Sequence, residues 1–111
     1  MAEIPVVFAH WERFTVWLFE RTAGFPKRLR HSLTHRIEAR CLDVYEGLAT
    51  ARYSRSPRRA LGEVSVALDG LRLLLRLATS LQCWSARQGQ HAAEQLDEAG
   101  RMVGGWMKVA Q

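Results

Sequence analysis

The sequence lacks the features that are typical of membrane-spanning, secreted or disordered chains. It has three prolines and two cysteines, and no apolar run approaches the roughly 20 residues that cross a bilayer. Residues 4–9 are mostly apolar, but no basic segment precedes them and no small-residue cleavage site follows. We therefore expect a cytoplasmic protein without a signal peptide. Its 111 residues, 48% of them apolar, predict a single domain over residues 1–111.

Signatures of catalysis and of metal binding are also scarce. The two cysteines lack CxxC spacing, no Glu is followed by His three residues later, and there is no Gly-rich phosphate loop or serine nucleophile motif. His31 and His35 share a helical face, but Arg30 and Arg36 beside them would repel a cation. Cys41 falls on an apolar stripe and is interpreted as a core thiol. We expect a protein that is not an enzyme and holds no metal or cofactor.

Positive charge is concentrated in one third of the chain. Of the 16 basic residues 14 are Arg and two are Lys, and the net charge is +5. Residues 21–59 carry ten basic and three acidic side chains, whereas residues 60–111 carry five of each. A segment of this kind indicates contact with a polyanion such as nucleic acid. The alternative is a soluble protein that uses Arg where others use Lys.

The spacing of apolar residues predicts four helices and no strand. They cover residues 6–22, 26–53 and 58–82, and a last segment from Ser85 or Gln88 to the C-terminus. Gly24 and Pro26 separate the first two helices, with Pro26 in the first turn of the second, and Pro57 ends the second. Short connections between amphipathic helices predict an all-α, antiparallel up-down-up-down four-helix bundle. The second predicted stripe is the longest and consists of Phe25, Leu29, Leu33, Ile37, Cys41, Val44, Leu48 and Ala51.

The third and fourth predicted helices carry features that favour self-association. One apolar face of the third helix contains Leu61, Val64, Leu68, Leu71, Leu75 and Ala78, and a second contains Val66, Leu73, Leu74, Leu77 and Leu81. A helix that is apolar on two sides needs more than one packing partner. Gly100, Gly104 and Gly105 each weaken the fourth helix by about 1 kcal/mol relative to Ala. We expect another backbone to approach this helix closely at these glycines.

Three groups of basic residues are candidates for binding a polyanion or a partner. The first lies at the start of the second helix, the second surrounds the following break, and the third lies on the polar strip of the third helix. In that order they are Lys27, Arg28 and Arg30; Arg52, Arg55, Arg58 and Arg59; and Arg72 and Arg76. The last two either face phosphates or a partner's carboxylates, or Arg72 pairs with Asp69 and Arg76 is solvated. The four dispersed tryptophans predict binding through the nucleic-acid backbone without base reading.

Three segments resemble a known four-helix-bundle family. They are the Phe25-Pro26-Lys27-Arg28 start of the second helix, Leu71-Arg72 with Leu75-Arg76-Leu77, and the ending Gly100-Arg101-Met102-Val103-Gly104-Gly105-Trp106. The family includes proteins encoded in 23S rRNA intervening sequences and the accessory variability determinant (Avd) proteins of diversity-generating retroelements. The similarity covers nearly the whole chain. The Leu-Arg repeat and the Gly-Arg ending resemble Avd more than the ribosomal relatives.

The resemblance implies a specific role. Avd proteins are noncatalytic and form a pentameric, ring-like homo-oligomer with a basic surface. They bind the reverse transcriptase of the retroelement and its template RNA, with the cDNA as a further candidate, and so support mutagenic copying in retrohoming. Arg72 and Arg76 would inherit this role first, followed by Lys27, Arg28 and Arg30. The alternative is a ribosomal-spacer-type bundle that binds nucleic acid and has no reverse transcriptase partner.

Overall fold

The computed structural model describes the backbone of residues 3–110 and the side chains of residues 6–110. Over that range the chain forms four α-helices and no strand. Helix α1 is Glu3–Thr22, α2 is His35–Tyr53, α3 is Arg58–Ser80 and α4 is Ala86–Val109. A 3₁₀ turn at Lys27–Leu29 and a π-helical turn at Arg30–Thr34 precede α2. The predicted all-α class with four helices is confirmed.

Neighbouring helices run in opposite directions. The start of α3 meets the end of α4, where Nη1 of Arg58 donates to the Met107 carbonyl at 3.4 Å. Further along the same pair, Arg72 forms an ion pair with Asp97. The contacts of α2 with α3, and of α1 with α2 and α4, follow the same antiparallel order. Each helix therefore packs against two others, which is the arrangement of a four-helix bundle.

The predicted apolar stripes form the core. The buried face of α3 is the predicted one, and Trp11 and Trp106 are almost fully inaccessible. The indole nitrogen of Trp11 donates to the backbone carbonyl of Cys41 at 3.0 Å, which joins α1 to α2 inside the core. Cys41 is fully buried, as the sequence predicts for a core thiol. The period of the sequence thus identifies the inward face of every helix.

The second helix does not start as predicted. Pro26 is extended, with a ψ of 134°, and lies before the first helical turn rather than inside it. The following residues form the 3₁₀ and π turns before regular α-helix begins at His35. The stripe explains the wide turn, because Phe25, Leu29, Leu33, Ile37 and Cys41 are each four residues apart. In an α-helix, side chains four residues apart differ by about 40° in direction around the helix axis, so this stripe would rotate away from the core. The wider π turn compensates for that rotation.

Helix α3 ends two residues earlier than predicted. The backbone NH of Gln82 donates to the Thr79 carbonyl at 3.0 Å, and the NH of Cys83 donates to the Ala78 carbonyl at 2.9 Å. These two bonds form a Schellman motif, in which the residue after the cap takes the left-handed conformation. Gln82 has that conformation, with a φ of 60°. The side chain of Ser85 then caps α4 in a reciprocal arrangement with Gln88.

Replacing Gln82 with Gly is expected to stabilise the protein by about 0.5–1 kcal/mol. The left-handed conformation costs a residue with a Cβ roughly 1–2 kcal/mol, and the greater freedom of an unfolded Gly offsets part of this gain. Urea unfolding followed by circular dichroism measures the difference. Ser80→Gly, in the last turn of α3, is the matched control and should destabilise by about 0.5–1 kcal/mol. A loss of stability in Gln82→Gly would contradict the assignment of the cap.

The glycines of α4 do not have the expected neighbour within the chain. A Cβ built at Gly100, Gly104 or Gly105 meets no heavy atom within 4 Å among the described residues. The prediction of a close backbone approach at these positions is therefore wrong for the single chain. By contrast, a Cβ at Gly47 would lie 2.7 Å from Cγ2 of Val64, so close α2–α3 packing requires a glycine there.

Candidate nucleic-acid and partner interface

Lys27, Arg28 and Arg30 are exposed at the end of the bundle that carries the α1–α2 and α3–α4 connections. We call this the α1–α2 end. The three side chains belong to the 3₁₀ and π turns, whose only buried residues are Leu33 and Thr34. No ion pair involves the three basic side chains among residues 6–110. Their charges are therefore available to an anion.

Arg72 and Arg76 occupy different electrostatic situations although they are one helical turn apart. Arg72 is half-buried, and its Nη1 donates to Oδ1 of Asp97 on α4. Its partner is thus Asp97 across the helix pair, not Asp69 on the same helix. Arg76 is exposed and has no carboxylate partner among the described side chains. Arg76 is thus solvated, as in the second sequence alternative, but the partner named there for Arg72 is wrong, because Arg72 pairs with Asp97 and not with Asp69.

Both arginines line a cavity of about 380 Å³ between α3 and α4. Ala86 and Ala93 form the apolar part of its accessible wall, since Leu75 and Leu96, which also border it, are 4% and 0% exposed. Polar groups come from Thr79, Ser80 and Gln90. We call this space the α3–α4 cavity. It extends to the connection between the two helices and therefore lies toward the same end of the bundle as the exposed basic turns.

The basic turns lie beside the α3–α4 connection. Phe25, two residues before Lys27, packs edge-on against Trp84 of that connection, with ring centres 5.4 Å apart. Burial raises the pKa of the Cys83 thiol in the same connection, and the positive charge of Arg28 partly offsets this effect. Four of the nine sequence candidates lie toward this end: Lys27, Arg28, Arg30 and Arg76. Arg72 pairs with Asp97 in the middle of α4 and lies between the two ends.

The other four candidates lie at the opposite end, around the α2–α3 connection. Arg52 stacks on Phe8 and Tyr53, with its guanidinium carbon 5.6 Å and 5.7 Å from the two ring centres. Arg58 donates to the carbonyl of Met107 at 3.4 Å. Arg55 and Arg59 are exposed and have no carboxylate partner within residues 6–110. The structure thus separates eight of the nine candidates into two basic ends of a molecule 43 Å long, with Arg72 between them.

Arg40 is a basic residue between α2 and α3 that the sequence analysis did not identify. Its guanidinium lies across Gly70 on α3, where a Cβ would collide with it. Arg40 also lines a second cavity of about 350 Å³ between α2 and α3, together with Asp43 and Glu63. The signal in the sequence was Gly70 itself, because a glycine in the middle of a helix indicates that another group approaches closely.

The histidines and cysteines behave as unreactive or solvated groups. His31 and His35 are exposed at the α1–α2 end. Among the described residues no group of three or more His, Cys, Asp and Glu side chains could hold a metal ion. Burial raises the pKa of the Cys41 thiol from 9.0 to about 11, so at neutral pH it is protonated. Cys83 is partly buried and also free.

Four of the five residues predicted for the second apolar face of α3 point to solvent, whereas Leu74 is partly buried against the core. Val66, Leu73, Leu77 and Leu81 are 69%, 62%, 47% and 37% exposed. We call these four residues the outer α3 stripe. They repeat along one side of the helix, opposite its buried face, and Arg40 lies beside them at Gly70. A row of large apolar side chains on a charged protein is typical of an interaction surface.

The fold and its surfaces define a basic four-helix-bundle protein with an exposed apolar stripe. The sequence model of the bAvd-like family matches residues 6–110. The chain belongs to this family, which confirms the resemblance to Avd proteins. No curated protein matches the chain. None of the helices, over the part of the chain that the structure describes, is long and apolar enough to span a membrane.

Proposed function

We propose that the chain is a noncatalytic accessory factor of a diversity-generating retroelement. In this role it acts in the cytoplasm as a ring-like homo-oligomer, a pentamer as in Avd proteins. It binds the reverse transcriptase and the template RNA, with the cDNA as a further ligand, during mutagenic copying. The observation that carries the proposal is the match to the bAvd-like family over residues 6–110.

The outer α3 stripe supports self-association. A single chain leaves Val66 and Leu73 more than half exposed, and burying such side chains contributes about 1.5–3 kcal/mol each. The open surface at Gly100 and Gly104 on α4 gives a neighbouring chain room to approach its backbone. If the stripe of one chain packs against this surface of the next, the contact is head-to-tail, and head-to-tail contacts form rings when the rotation between copies closes.

The two basic ends support nucleic-acid binding. Each carries arginines without a carboxylate partner among the described side chains, namely Arg76 at one end and Arg55 and Arg59 at the other. Guanidinium groups bind phosphates in a bidentate manner, and several of them on one surface attract a polyanion. In a ring, these ends would repeat around the assembly and extend the basic surface.

Co-purification with the reverse transcriptase encoded beside this chain tests the proposal. The tagged protein is isolated at low and high salt, and RNA is recovered from each fraction. We expect the polymerase and RNA to be captured together, and RNA to be released first at high salt because phosphate contacts are screened. Arg72→Ala with Arg76→Ala should keep the fold and weaken capture.

Arg55→Ala with Arg59→Ala is the control, because it removes the same charge at the opposite end of the bundle. If this control loses less capture than the Arg72 and Arg76 variant, the α1–α2 end contributes more to binding than the opposite end. If neither polymerase nor RNA is captured, or if no reverse transcriptase gene lies nearby, the retroelement role is wrong. RNA capture without any polymerase would favour the ribosomal-spacer type of bundle.

A further inference from the structure

The α3–α4 cavity combines an apolar wall with groups that recognise anions. Its volume of about 380 Å³ is within the range of roughly 300–1,000 Å³ that holds small organic groups. Ala86 and Ala93 provide apolar surface, while Thr79, Ser80 and Gln90 provide hydroxyl and amide groups. A ligand that matches this wall has three properties. Its body is apolar, its edges form hydrogen bonds, and it carries a negative charge.

The two arginines of the cavity suit two different parts of such a ligand. Arg72 is held by Asp97, so its charge is largely balanced and its planar guanidinium is fixed in place. A fixed guanidinium provides a platform on which an unstacked base can lie. Arg76 has no carboxylate partner among the described residues and is exposed, so it can turn toward a phosphate.

The surroundings of the cavity favour a nucleic-acid strand over an acidic peptide. The cavity lies toward the α1–α2 end, where Lys27, Arg28 and Arg30 are exposed without carboxylate partners in the described part of the chain. Phe25, two residues before Lys27, packs against Trp84 of the α3–α4 connection, with ring centres 5.4 Å apart. A strand with one group in the cavity would therefore continue along a basic surface. Such a surface suits a ligand with repeating phosphates better than a ligand with a single carboxylate.

We propose that the α3–α4 cavity holds one unpaired nucleotide of single-stranded RNA. The base lies against Ala86, Ala93 and the guanidinium of Arg72, and its phosphate binds Arg76. The strand then continues toward the exposed basic turns at Lys27, Arg28 and Arg30. This inference rests on the proposed function, because it assumes that the chain binds RNA, and it adds a site that accepts single strands and excludes duplexes.

Filling the cavity without changing charge tests the site. Ala93 lines the cavity, and Ala93→Met places an apolar side chain in it. Ala67→Met is the matched control, because Ala67 lines the second cavity between α2 and α3. Affinity is measured by fluorescence anisotropy with a labelled RNA of about 16 nucleotides, as a single strand and as a duplex. We expect Ala93→Met to weaken single-strand binding roughly fivefold or more and duplex binding less than twofold, with Ala67→Met unchanged.

The salt dependence separates the roles of the two arginines. Arg76→Ala should lower the slope of log affinity against log salt by about 0.7, the value for one lost phosphate contact on a single strand. Arg72→Lys keeps the charge but removes the planar platform. It should therefore weaken single-strand binding and leave the slope unchanged. Thermal unfolding of each variant, with Ala86→Leu as a second filling variant, identifies losses that come from misfolding.

The outcomes distinguish the cavity from the general function. If both filling variants fold and bind single strands as tightly as the unmodified protein does, the nucleotide site is wrong, while RNA binding and the proposed function stand. If filling abolishes capture of the polymerase and spares RNA, the cavity binds a peptide and the inference is overturned. If the unmodified protein binds no RNA, the proposed function itself fails.

Discussion

Leu73→Glu combined with Leu77→Glu is expected to convert the proposed oligomer into single folded chains. Both residues belong to the outer α3 stripe, and their side chains are 62% and 47% exposed in the single chain. Glutamate at these positions remains solvated in the free protomer, so the core is untouched. In the assembly each would bury an unpaired carboxylate, which costs several kcal/mol. Size-exclusion chromatography with light scattering measures the change in mass, and circular dichroism checks the helices.

Two glutamates elsewhere on the surface provide the control. Val6 and Val16 on α1 are 51% and 55% exposed, and changing both to Glu alters the net charge by the same amount. This variant should keep the mass of the unmodified assembly. A mass loss in both variants would mean that charge, not the stripe, governs association. A protein that is already a single chain before any substitution would contradict the ring.

Leu68→Ala is expected to reduce the free energy of unfolding by about 2–5 kcal/mol. Leu68 is 3% exposed on the inward face of α3, so truncation leaves a cavity that the neighbouring helices cannot fully close. Urea unfolding followed by circular dichroism gives the difference, provided that the dependence on urea keeps the same slope. A loss below about 0.5 kcal/mol would mean that the inward face of α3 is misassigned.

Leu73→Ala is the matched comparison on the same helix. In a free protomer its exposed side chain contributes little, and the change should stay within about 0.5 kcal/mol. In an assembly that buries the stripe, the loss should grow with protein concentration, because association stabilises the folded chain by mass action. Concentration-dependent stability for Leu73→Ala together with a concentration-independent loss for Leu68→Ala would separate the two faces of α3.

Much of the fold follows from the sequence because each helix shows its inward face in its apolar period. Leu61, Leu68 and Leu75 are identified as core residues without knowledge of any neighbour. The start of the second helix is different. There the four-residue spacing from Phe25 to Cys41 fits an α-helix poorly, and only the packed structure shows that a wide turn corrects the drift. The cap at Gln82 likewise depends on backbone hydrogen bonds, and no residue type in the sequence indicates them.

The candidate site is less predictable because it depends on which helices meet. The sequence identifies Arg72 and Arg76 as members of a polar strip, but Asp97, the partner of Arg72, is 25 residues away. The α3–α4 cavity also has no local signature, since its wall comes from two helices. Arg40 escaped notice because its role depends on the approach of α3 at Gly70. Periodicity predicts which face of its helix a residue occupies. Which residue of another helix it contacts is known only once the bundle is assembled.

The π turn at Arg30–Thr34 gives the molecule a fixed angular offset between its basic turns and the rest of α2. Each residue in an α-helix advances the chain by about 100°, so deletion of one residue here would rotate everything before it around the helix axis. Phe25 would leave its position against Trp84, whose ring centre is 5.4 Å away, and the basic turns that follow Phe25 would move away from the α3–α4 connection with it. Relatives of this chain that lack one residue in this segment should therefore present their positive charge on a different side of the bundle.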